Sequence, residues 1–126
     1  MNKEEFDREL RQACASFVAD PLAYTLFMYP WKQEGVLKDW DGPDKWHREV
    51  FKVIKDYLTS SETMPLLLAI ASGHGAAKTA LCAWITRWFM ACRAHPQVVC
   101  TANTETQLTT KTWRELAKWH KLGLDR

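Results

Sequence analysis

Residues 66–80 read LLLAIASGHGAAKTA, an apolar run that breaks into a loop of Gly, Ser and Ala and ends on Lys-Thr at the mouth of an apolar helix. This order is the outline of a phosphate-binding P-loop, whose backbone N–H groups turn toward a polyphosphate at a helix N-terminus. In that pattern Lys78 supplies a cation for the phosphates, and Thr79 offers its hydroxyl to Mg²⁺. The spacing assigns Ser72, Gly73, His74, Gly75, Ala76, Ala77, Lys78 and Thr79 to the loop, with ATP and Mg²⁺ as the expected ligands.

The match departs from G-x-x-x-x-G-K-[ST] at both outer glycines, where Ser72 and Ala77 stand. Gly73 and Gly75 lie between them and can take positive φ without steric cost. Ala77 weighs more, because its methyl group either blocks close backbone approach to the phosphates or opposes a needed torsion. Glycine is less favoured than alanine inside a helix by ~0.5–1 kcal/mol. An Ala77→Gly change is therefore expected to improve phosphate binding while lowering the melting temperature slightly. Without the two glycines, a plain strand-loop-helix turn stays open as the other reading.

A chain of 126 residues with 47% hydrophobic content suits one domain with a real core. Its net charge of +2 makes no strong electrostatic demand for nucleic acid. Cys14, Cys82, Cys92 and Cys100 form no C-x-x-C pair, and the reading is buried free thiols in a reducing compartment. The opening MNKEEFDREL is too polar for a signal peptide, and no apolar stretch reaches the ~18–20 residues of a membrane span. A soluble protein of the cytoplasm, with no membrane partner, is expected.

Phe6, Leu10, Ala13, Cys14, Phe17 and Val18 recur at helical spacing and predict an amphipathic helix over 3–19 that stops at Asp20-Pro21. Residues 21–43 hold three prolines and five aromatic residues and read as an ordered, aromatic-anchored connection. A second helix is expected from Asp44 to about Thr59, capped by Asp41 or Asp44. The uniformly apolar 64–71 reads as a buried strand, 79–93 as a helix buried against a sheet, and 97–101 (QVVCT) as a second strand. A last helix over 104–121 turns Leu108, Trp113, Leu116 and Ala117 inward. The expected fold is α/β: a P-loop NTPase-type βαβ core with parallel strands over 44–126, preceded by N-terminal helices over 1–43, and incomplete as a domain.

The blocks GPDKWHREV, AIASGHGAAKTAL and VVCTANTETQLTTKTWRELAKWH, in that order, resemble the N-terminal part of the ATPase domain of phage large terminase subunits, the motors that package viral DNA. The likeness covers about residues 40–121. It implies the ATP-binding part of a packaging motor, with double-stranded DNA and other packaging components as partners in the cytoplasm of the host. It also implies that Trp46-His47 occupies the place where the family has an apolar or aromatic residue followed by an adenine-reading Gln. Histidine can bond through one nitrogen but lacks the paired donor and acceptor of a carboxamide. Residues 101–107 match a stretch that relays nucleotide state to the DNA-gripping parts.

An apolar strand ending in Asp-Glu, which such ATPases use to hold Mg²⁺ and polarise water, does not follow Lys78; only Glu105, Glu115 and Asp125 do. No catalytic residue is assigned, and a non-catalytic binding module acting through protein contacts is the alternative function. Plain readings stand beside each site residue: Lys78 as a solvated lysine, His47 as a polar boundary residue, the tryptophans as core. Lys111, Arg114, Lys118 and Lys121 form a basic side on the last helix, either a solvated face or a contact for DNA phosphates. With two strands and open edges, self-association is expected.

Overall fold

The computed structural model describes residues 2–71 and 77–125, and among them it is all helical, with no strand. The α/β expectation is therefore corrected. Four helices, α1 (Lys3–Ser16), α2 (Pro21–Met28), α3 (Lys45–Leu58) and α4 (Lys78–Cys92), are followed by a continuous C-terminal helical stretch. That stretch comprises α5 (Glu105–Gln107), a π-helical turn (Leu108–Trp113) and α6 (Arg114–Leu122).

Local chemistry accounts for the helix starts. Asn2 caps α1 through a reciprocal pair, Glu5 N–H to Asn2 Oδ1 at 2.8 Å and Asn2 N–H to Glu5 Oε2 at 3.4 Å. The helix ends at Ser16, three residues short of the predicted boundary, where Phe17 leaves helical geometry. Asp20-Pro21, read as a stop, is also a start: Asp20 Oδ1 accepts from Ala23 N–H at 3.0 Å and Pro21 takes the first helical position. Part of the predicted connection is thus α2. The helices α3 and α4 fall within a residue of their predicted ends.

The predicted strands have a physical reason to fail. Residues 65–71 and 96–102 have no regular secondary structure and make no backbone–backbone hydrogen bond to another described residue. Most of their side chains are exposed, Leu67 at 89% and Val99 at 75%, and Leu66 alone of the first segment packs against the core. Uniform apolarity predicts a buried strand only when a sheet exists to bury it, and LLLAIA carries one β-branched residue in six. The core is filled instead by rings. Trp84 stands edge-on to Trp119 (5.1 Å), Trp31 (6.0 Å) and His47 (4.9 Å), and Tyr29 edge-on to Trp119 (4.9 Å). Each such pair adds roughly 0.5–1.5 kcal/mol beyond its buried area. The apolar α4 is covered by α1, α2 and α6, the role assigned from sequence to a sheet.

The π-helical turn changes the inward face of the last helix. A helical period of 3.6 places Trp113 and Ala117 inside, but Trp113 is 50% exposed and Trp119 only 3%. A π turn accommodates more residues per turn, so everything after it is rotated relative to an unbroken α-helix. Arg87 fixes this stretch from α4. Its Nη1 donates to Tyr29 Oη and to the Trp119 carbonyl, both at 2.9 Å, and its Nη2 to Asp125 Oδ1 at 2.5 Å. Burial pushes the Tyr29 hydroxyl up to about 12, with Arg87 pulling against it.

Candidate functional site

At the N-terminus of α4 a cavity of ≈ 710 Å³ opens between the 31–47 segment, α4 and the C-terminal helical stretch. This size suits a small organic ligand such as a nucleotide. Ala77, Lys78, Thr79, Ala80 and Trp84 form one wall. Gly42, Pro43, Asp44 and His47 form a second, and Lys111, Glu115, Lys118 and Trp119 a third. Trp31, Val36, Leu37 and Trp40 complete the lining.

Ala77 is the N-cap of α4 and adopts the left-handed conformation, φ 60 and ψ 34. An L-residue pays for that torsion, which glycine adopts freely. Two hydrogen bonds hold it: its carbonyl accepts from Leu81 N–H and from His47 Nε2, each at 3.2 Å. His47 Nδ1 in turn accepts from Asp44 N–H at 3.0 Å. That bond leaves the imidazole proton on Nε2, where it is donated to Ala77. His47, 1% exposed, is thus a bracket between the start of α3 and the start of α4, with both ring nitrogens engaged by backbone. Burial holds its imidazole below the ordinary range, against the raising pull of the Ala77 carbonyl and Asp44.

The structure therefore brings His47, Ala77, Lys78 and Thr79 to one cavity. Trp46 stacks on His47 with ring centroids 4.0 Å apart and packs against the core, outside the cavity lining. Ser72, Gly73, His74, Gly75 and Ala76 lie outside the described residues. Sequence reasoning did not assign Trp31, Leu37 and Trp40 to a site, because it took 21–43 for a connection. Lys111 and Lys118 were visible only as members of a basic stripe, and the fold divides that stripe by turning these two toward the cavity.

The charged lining comprises Lys78, Lys111, Lys118, Asp44 and Glu115. Glu115 Oε1 accepts from Trp119 Nε1 at 3.0 Å and lies 3.8 Å from Lys118 Nζ. Lysines beside a helix N-terminus suit a polyphosphate, since the N–H groups and the helix dipole both favour negative charge there. For Mg²⁺ the cavity offers oxygen donors in the Thr79 hydroxyl and the Asp44 and Glu115 carboxylates, the type that ion takes alongside phosphate oxygens and water. Among the described residues no group of three or more His, Cys, Asp or Glu forms a metal cluster, and no helix is long and apolar enough to cross a membrane. All four cysteines are free; Cys14 and Cys92 are buried and Cys82 is exposed. The chain matches no family model, no curated protein and no solved structure.

Proposed function

We propose that the cavity binds a nucleoside triphosphate, ATP with Mg²⁺, and that the chain is the nucleotide-binding part of a terminase-type viral DNA-packaging motor. The supporting observation is convergence: the three sequence blocks that carry the resemblance, far apart in the chain, each contribute residues to the same cavity. The proposal rests on the site and not on the fold, since one chemistry can be mounted on different scaffolds. Lys78 and the first turn of α4 take the phosphates, Thr79 is the protein ligand for the metal, and the aromatic side formed by Trp31 and Trp40 takes the base. Double-stranded DNA and other packaging components in the host cytoplasm are the partners implied by the same resemblance. A non-catalytic binding module is the second reading, favoured by the engagement of both His47 nitrogens with backbone, which leaves neither to read a base.

Titration calorimetry with Mg²⁺-ATP tests the proposal. Lys78→Ala is expected to weaken binding by roughly 1.5–3 kcal/mol, the worth of a charge-assisted contact. Equal affinity of wild type and variant would reject the assignment of Lys78 to the phosphates. Phosphate release then separates the two readings: turnover that depends on Lys78 supports the motor, and none supports the binding module.

A further inference from the structure

The three lysines of the cavity are not equivalent. Lys118 is partly neutralised, with Glu115 Oε1 3.8 Å from its Nζ and the Trp119 ring centre 5.2 Å away. Lys111 lines the same cavity, is exposed, and forms no ion pair among the described residues. It is carried by the π-helical turn Leu108–Trp113, a rare geometry that concentrates where a helix serves a site. Lys111 and Lys78 line the same cavity. Both lie where the N-terminus of α4, a helix of 15 residues, adds its own positive end.

We propose that Lys111 is a polyphosphate-binding residue of this cavity. It lines the same cavity as the start of α4, so the phosphate tail is held by Lys78 and the α4 N–H groups together with Lys111. The C-terminal helical stretch thereby becomes the second half of the binding site. This inference rests on the nucleotide reading above and adds to it the residue that makes affinity depend on the number of phosphates. Recognition is by charge, so inorganic tripolyphosphate is a sufficient probe.

The test compares wild type, Lys111→Gln and Arg8→Gln, the last an exposed residue of α1 away from the cavity that controls for the loss of one positive charge. Affinities for Mg²⁺-ATP and for tripolyphosphate are measured by calorimetry at two salt concentrations. Lys111→Gln is expected to weaken both ligands about tenfold, as for loss of one charge-assisted contact, and to flatten the salt dependence. Arg8→Gln should change either affinity less than about twofold, since distant exposed charges are screened. Lys111→Gln binding both ligands like the wild type overturns the inference while leaving the nucleotide reading intact. Wild type binding neither ligand overturns the nucleotide reading itself, and this inference with it. Because Lys111 is exposed, the variant is expected to fold, and an unchanged melting temperature verifies that.

Discussion

Replacing Ala77 by glycine should stabilise this protein, a sign opposite to the usual effect of glycine at a helix. Ala77 sits at φ 60, ψ 34, before the first helical residue. Left-handed torsions cost an L-residue ~1–2 kcal/mol. Glycine removes that cost but gains freedom in the unfolded chain worth ~0.4–1 kcal/mol. The balance favours Ala77→Gly by roughly 0.5–1 kcal/mol. For 126 residues the unfolding entropy is about 0.26 kcal/mol/K, so the melting temperature should rise by ~2–4 °C. Circular dichroism melts at matched protein concentration, backed by urea titrations in which the midpoint rises with unchanged slope, provide the assay. A fall in melting temperature would refute the reasoning, because it would mean that Ala77 behaves as an ordinary helical alanine. The sequence-based expectation had this sign reversed, since it placed Ala77 in a helix and not in the left-handed cap before one.

Three further outcomes follow from the structure. The depressed pKa of His47 means that its neutral form is favoured on folding; its stabilisation is complete above the ordinary value of 6.5 and is lost as pH falls below it, because the unfolded chain then takes up the proton first. Melting temperature should drop between pH 7.5 and 5.5, and His47→Gln, which keeps a donor and an acceptor but does not titrate, should flatten that drop. Gly42 has φ +146, and a Cβ there would lie 2.6 Å from Arg48 Nη2 and 2.9 Å from Leu26 Cδ2. Gly42→Ala should lower the urea-unfolding free energy by about 1–3 kcal/mol and weaken nucleotide binding, since Gly42 lines the cavity. The outward-facing Leu67 and Val99 should bind a hydrophobic dye and promote self-association, and the double change Leu67→Lys, Val99→Lys should reduce both signals in fluorescence and light scattering without lowering the melting temperature.

The sequence by itself determined what depends on neighbours a few residues away. Helical spacing set α3 from Asp44, with its cap, and α4 from about Thr79, and the Lys78-Thr79 pair at a helix start marked one wall of the cavity. Asp20-Pro21 carried the signature of α2 as well, which a reading of proline as a stop alone passes over. Tertiary structure decided whether 64–71 had a partner strand, because a strand is completed only by backbone groups from elsewhere in the chain; in this fold the rings of Trp31, Trp84 and Trp119 occupy the core that a sheet would have filled. It decided the role of His47, whose bond to Ala77 crosses 30 residues of chain. It also decided which lysines of one stripe turn toward the cavity, since the π-helical turn alters the period on which any reading of that helix's faces depends.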